Sequence, residues 1–224
     1  MTHPPTEALT FDLDGTLCCY RRSTAEVLES AFEQADTDPL FTVEDYHDSI
    51  GRYEGEHATW AEIREQCFAD LAVANGYDSD SGRRVALAYE ESRDHRNVEP
   101  LDGVHETLDA LADYPMAIVT NGPPEMQAQK LEALDLDSAF EYVIYAGYDT
   151  LAKPDPAPFI DVLSRLDVAP NRAVHVGNSV ESDVRGADAA GMRAAWLREK
   201  GVTPTPRPQY VLDSLADLAE LPWE

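Results

Sequence analysis

Short apolar runs alternate with amphipathic stretches along most of the chain. Ala8-Leu9-Thr10-Phe11 is the first run, followed by Met116–Val119, Tyr142–Tyr145, Ala173–Val176 and Ala194–Leu197. Each is short and apolar nearly throughout, as expected of strands buried on both faces of a parallel sheet. Between them, Val104–Leu111, Pro124–Leu134, Pro156–Leu166 and Val180–Ala190 carry apolar residues at helical spacing. Strand and helix alternating in this way predict an α/β fold: a Rossmann-like parallel sheet core with helices on both faces. Ligands then belong at the carboxyl ends of the strands.

Residues 18–98 break this rhythm. Ser23-Thr24-Ala25-Glu26 fits a capping box, with Val27, Leu28, Ala31 and Phe32 following at helical spacing. Trp60, Ile63, Cys67 and Leu71 make one apolar helix face, and Val85, Ala88 and Tyr89 suggest another. The segment reads as an all-helical domain inserted into an α/β core made of residues 1–17 and 99–224. Thr203–Pro208 reads as a stiff, extended connection.

Charge adds a second layer. The 224 residues carry a formal charge of −26, and Lys130, Lys153 and Lys200 are the only lysines. Acid excess with so little lysine suggests adaptation to concentrated salt, which screens carboxylate repulsion. So acidic a surface argues against a nucleic-acid partner. No apolar run approaches the roughly 20 residues needed to cross a bilayer, which argues against a membrane partner. The beginning Met1–Pro5 lacks the basic and apolar regions of a signal peptide, and a cytoplasmic location is expected. Cys18, Cys19 and Cys67 are too few for a disulfide framework. Monomer and homodimer are equally open.

The polar residues cluster where the strands end. Asp12 and Asp14 leave a strand end on the same side, beside Gly15, which permits a tight turn. Two converging carboxylates repel unless a proton or cation lies between them. Thr120-Asn121-Gly122 offers a hydroxyl and amides between a strand and a helix, suited to an anion. Lys153 follows the next strand, and Asn178 through Asp183 follow another with amide and acidic groups. Singly these read as turn residues, a surface lysine and a helix cap. Four such groups in chain order make a site the better reading. His175, inside an apolar run, reads as a packed core histidine; His47, His57 and His95 read as surface or packing residues of the insertion, and His105 as one on a core helix.

Asp12-x-Asp14-Gly-Thr16, Thr120-Asn121-Gly122, Lys153-Pro154-Asp155-Pro156 and Gly177-Asn178-Ser179 through Asp183 together resemble the haloacid dehalogenase superfamily, in its phosphatase branch with a helical cap. The resemblance implies a Mg²⁺-dependent phosphatase of small phosphorylated metabolites. Asp12 would attack phosphorus, forming an aspartyl-phosphate, and Asp14 would act as acid and then base. Thr120, Asn121 and Lys153 would bind the phosphoryl oxygens. Asp12, Asp14 through its backbone carbonyl, Asn178 and Asp183 would hold Mg²⁺. Asn178 stands where the family usually has aspartate, which implies weaker metal binding and a larger anionic share for Asp183. Related possibilities are a phosphomutase, a haloacid dehalogenase and a non-catalytic relative. Asp14 disfavours the dehalogenase, since a halide needs no acid to leave; residues 18–98 contain no lysine, which excludes the imine chemistry of phosphonatases.

Overall fold

A computed structural model describes residues 4–53, 59–199, 201–220 and 223; His57 and Lys200 lie outside the described residues. The chain divides into two compact units, Met1–Cys19 with Val98–Glu224, and Tyr20–Asn97. The division falls slightly inside the 18–98 insertion expected from sequence. Two short strands, β2 (Cys18–Tyr20) and β3 (Val98–Pro100), pair with each other at these limits.

The first unit is built on six strands: β1 (Ala8–Phe11), β4 (Met116–Asn121), β5 (Tyr142–Ala146), β6 (Ala173–Gly177), β7 (Arg193–Leu197) and β8 (Tyr210–Leu212). Their order is β5-β4-β1-β6-β7-β8, and every neighbouring pair is parallel. All four residues of β1 and all five of β6 are buried, which is why these runs lack the alternation of a half-exposed strand. Helices α5 (Val104–Ala110), α6 (Pro124–Ala133), α7 (Ala157–Leu166) and α8 (Arg185–Ala189) accompany the sheet. One layer of the core joins Ala8, Val119 and Ile144 with Phe159, Val162, Ala187 and Trp196. From the opposite side of β1, Phe11 meets Phe140 edge-on. The architecture is a Rossmann-like parallel sheet flanked by helices.

Strand order decides where the site lies. β1 sits between β4 and β6, with Phe11 in register with both Ile118 and Val176. Asp12, just past β1, Thr120, next to last in β4, and Gly177, last in β6, therefore stand at the carboxyl ends of three adjacent strands.

The sequence reading and the structure differ in the last helix and the last strand. The helix expected over Val180–Ala190 begins as a π-helical turn, Val180–Val184, before α8. The amide of Val184 reaches back five residues to the carbonyl of Ser179 at 3.1 Å. That wider turn carries Asp183 back over Gly177. β8 gave no apolar run: its three residues are half-buried, exposed and buried in turn.

The second unit contains α1 (Thr24–Gln34), α2 (Val43–Ile50), α3 (Trp60–Ala74) and α4 (Ser79–Ser92). Ser23, Thr42 and Thr59 each cap a helix and form reciprocal capping boxes with Glu26, Asp45 and Glu62. An aromatic cluster of Phe32, Phe41, Tyr46, Phe68 and Tyr89 fills the space between the helices. α2, only eight residues long, is an element that the helical spacing did not reveal.

Candidate active site

At the end of β1 the chain reverses through Leu13–Leu17. Gly15 takes φ +77°, and a Cβ there would lie 2.4 Å from Asn178 Nδ2. Glycine thus supplies both the left-handed backbone and the room for this turn to lie against the loop after β6. The turn leaves the Asp12 side chain buried and the Asp14 side chain 43% exposed.

Lys153 joins the end of β1, the backbone of β4 and the turn after β6. Its Nζ donates to Asp12 Oδ1 at 2.8 Å, to Asp183 Oδ1 at 2.7 Å and to the Val119 carbonyl at 2.7 Å. Those three acceptors saturate an ammonium group. Asn121 fixes the backbone of Lys153: Lys153 N donates to Asn121 Oδ1 at 2.8 Å, and Asn121 Nδ2 donates to the Lys153 carbonyl at 2.9 Å. The lysine side chain is 1% exposed, so water does little to screen its two carboxylates.

Asp183 is held from three directions. Besides Lys153, the Ser179 amide donates to its Oδ2 at 2.9 Å, and His175 Nε2 lies 3.3 Å from its Oδ1. The carboxylate can only accept, so His175 carries its proton on Nε2 and takes the Thr10 hydroxyl proton on Nδ1 at 2.8 Å. Thr10 and His175 are register partners on β1 and β6. The histidine is a fully buried core residue that also braces Asp183.

Burial sets these acids apart. It pushes Asp12 up to about 6, against the pull of Lys153 and with repulsion from Asp183 and Asp14 adding to it. Asp183 is also penalised by burial, yet Lys153 and His175 hold it below the ordinary carboxylate range. Burial opposes the charge on Lys153, but Asp12 and Asp183 hold it above the usual ammonium value. Burial keeps His175 below the usual imidazole value. Asp12 thus holds a proton more readily than an ordinary carboxylate and Asp183 less readily. Cys18, buried and pushed up to about 12 by desolvation, stays a packed thiol.

Two site residues escaped the sequence reading. Lys130 Nζ lies 2.6 and 2.8 Å from the two oxygens of Asp14, and Gln127 Nε2 donates to Asp14 Oδ2 at 2.9 Å and to Thr120 Oγ1 at 2.6 Å. Both are nearly fully buried on α6. The scarcity of lysine that singled out Lys153 applies equally to Lys130. The polar pair also sits three residues apart beside Leu131, on what the spacing marks as a buried face.

Thr16 Oγ1 lies 3.4 Å from both Asp12 Oδ2 and Asn178 Oδ1, which places these two oxygens beside one hydroxyl. The Asn178 backbone is anchored by Trp196 Nε1, which donates to its carbonyl at 2.8 Å. Among the described residues, no three acidic, histidine or cysteine side chains converge in a group that could hold a metal. The available donors are a carboxylate, an amide oxygen and main-chain carbonyls. These are hard oxygens of the kind that suits Mg²⁺, and burial with the neighbouring acids raises the proton affinity of Asp12, a penalty that a second cation beside Lys153 would relieve.

The fold and this arrangement define a class. The chain belongs to the haloacid dehalogenase-like hydrolases, whose family model matches residues 6–191. It is 32% identical over 148 residues to phosphoserine phosphatase of Thermus thermophilus, a match covering 66% of this chain and 59% of that protein. The chain therefore spans less than two thirds of that relative. Among solved structures it resembles 2-haloacid dehalogenase from Pseudomonas syringae (28% identity, TM-score 0.65, 96% and 97% of the two chains). It also resembles the HAD-hydrolase YfnB from Bacillus subtilis bound to magnesium (22% identity, TM-score 0.78, 97% and 99%), a likeness of fold.

Proposed function

We propose that the chain is a Mg²⁺-dependent phosphoric monoester hydrolase acting on a small phosphorylated metabolite. One observation carries this reading: a buried ammonium, Lys153, touches Asp12 at 2.8 Å, while a second carboxylate, Asp14, stands two residues on with its own cationic support. Asp12, in its ionised form beside Lys153, attacks phosphorus; the bond to the leaving alkoxide breaks, and Asp14 delivers a proton to that oxygen. Water then opens the aspartyl-phosphate, Asp14 takes the proton back, and inorganic phosphate leaves with Asp12 restored. Thr120 binds a phosphoryl oxygen, Lys153 binds one in exchange for one of its three present acceptors, and its charge offsets what builds during transfer.

Asp12, the Asp14 backbone carbonyl and Asn178 would hold Mg²⁺, with Asp183 as the anionic member of the set. Bound there, the ion would neutralise the acids facing the phosphate and orient a phosphoryl oxygen. Asp183 Oδ2 accepts the Ser179 amide at 2.9 Å and has a further lone pair to offer.

The similarity to a 2-haloacid dehalogenase supports a second reading, attack of Asp12 on carbon. Halide needs no proton to depart, so the supported Asp14 would have no task there. An assay in dilute buffer and in molar KCl separates the two. Phosphate should be released from a panel of phosphorylated sugars, glycolate, glycerol and nucleotides, with activity lost on EDTA treatment and in Asp12→Asn. Release of chloride from 2-chloropropionate, with no phosphate released from any panel member, would sink the phosphatase reading.

A further inference from the structure

Gln127 and Lys130 stand three residues apart on α6, nearly fully buried, and neither belongs to the groups assigned a chemical step above. Their contacts are specific. Lys130 Nζ meets both oxygens of Asp14, at 2.6 and 2.8 Å. Gln127 Nε2 donates one hydrogen to Asp14 Oδ2 and the other to Thr120 Oγ1, at 2.9 and 2.6 Å. The amide orientation is forced, because a flipped amide would set its oxygen against a carboxylate that only accepts. That orientation leaves Gln127 Oε1 buried without a hydrogen-bond partner among the described residues. A buried acceptor left unmade is disfavoured, so the two donor contacts of Nε2 are what hold this side chain in place.

The consequence for Thr120 is directional. Its oxygen receives a hydrogen from Gln127, and among the described residues its own hydroxyl hydrogen has no acceptor. That hydrogen is available to a phosphoryl oxygen. For Asp14 the consequence is rotational: a carboxylate 43% exposed is gripped from behind by two donors of one helix.

We propose that Gln127 and Lys130 are positioning residues for the reaction, Lys130 aiming Asp14 at the leaving oxygen and Gln127 turning Thr120 into a hydrogen-bond donor toward phosphate. This rests on the phosphatase reading above. Both residues act through another group and neither touches the reacting atoms. When Asp14 carries its proton, Lys130 keeps one oxygen while the protonated oxygen faces the leaving group. The proton moves from Asp14 to the departing oxygen as the phosphorus–oxygen bond breaks, and no charge is transferred to α6.

A series of para-substituted phenyl phosphates, from p-nitrophenyl to p-methylphenyl, tests Lys130 by kcat/KM, which reports the phosphoryl-transfer step. A poor leaving group depends on the general acid and a good one does not. In Lys130→Met, p-methylphenyl phosphate should lose about 100-fold and p-nitrophenyl phosphate less than about tenfold, given the usual size of acid catalysis. Lys130→Arg, which keeps two parallel N–H donors, should recover much of the loss for the poor leaving group. Lys130→Gln serves as the charge-free comparison should the methionine variant fail to fold. In Gln127→Met the inhibition constant of inorganic phosphate should rise about tenfold, the usual weight of one lost hydrogen bond. Wild-type turnover that depends on Asp12, with Lys130 variants losing equally across the series or not at all, overturns the positioning role and leaves the phosphatase reading standing. Wild-type protein that cleaves none of these esters overturns both.

Discussion

Gly177 and Asp183 are fitted so closely that a Cβ on Gly177 would lie 2.4 Å from Asp183 Cγ. The π-helical turn brings the carboxylate down onto the last residue of β6, where Lys153, His175 and the Ser179 amide hold it. Gly177→Ala must push Asp183 off this seat. The expected outcome is destabilisation by about 1–3 kcal/mol, the usual range for overpacking, with phosphate release reduced in parallel. Denaturant unfolding of the two proteins measures it; unchanged stability and activity would show the contact to be soft.

Lys153 separates two buried carboxylates, so its charge matters more than its bulk. Lys153→Met leaves Asp12 and Asp183 without their shared cation. A loss of about 3–5 kcal/mol is expected, the range seen when one partner of a buried ion pair is removed. Lys153→Arg should not rescue activity, because a planar guanidinium does not reproduce three contacts converging on one nitrogen. Urea unfolding and phosphate release, measured together, check both statements.

Asp12 makes stability depend on pH in an unusual direction. Its folded-state value, about 6, lies above the ordinary 3.8 because burial disfavours the charge. Between those values the folded chain binds more protons than the unfolded one, so this group's contribution to stability falls as pH rises from about 4 to about 6. Above that window the loss is complete and level. In Mg²⁺-free buffer, Asp12→Asn should therefore gain stability relative to wild type as pH rises through the window. Unfolding curves of both proteins at pH 4.5 and 7 would show it; a pH-independent difference would contradict the assignment.

Asn178 brings an amide oxygen beside Asp12 where a carboxylate would add charge, and its backbone is anchored independently through Trp196. Asn178→Asp should leave the loop in place and strengthen Mg²⁺ binding by at least about tenfold, since ligand charge sets the affinity of hard cations. Scanning calorimetry across a Mg²⁺ titration reads this without reference to turnover: the rise in Tm at a given concentration should be larger in the variant. Equal shifts would place the ion away from residue 178.

Much of the fold was legible along the chain. β1, β4, β5 and β6 begin at the residues where the apolar runs begin, and the Ser23–Glu26 capping box opens α1. These features are local: a buried strand needs a continuous apolar run, and a cap needs residues three apart. α2 and β8 were not legible because eight and three residues give too few repeats of either period. The π-helical turn was hidden because its residues, Val180–Val184, carry the same polar and apolar spacing as an ordinary helix.

By itself the sequence marked the carboxyl ends of the strands and the polar residues that follow them: Asp12, Asp14, Thr120, Lys153 and Asp183. Tertiary structure alone decided who answers whom. Lys130 reaches Asp14 across 116 residues and Lys153 reaches Asp12 across 141. Such pairings follow from β1 lying between β4 and β6 and from the rotation of α6 against the sheet. Hydrophobic periodicity says which face of an element is buried, but strand order and helix rotation emerge only when the whole core packs, so a buried lysine and its carboxylate stay unpaired on paper.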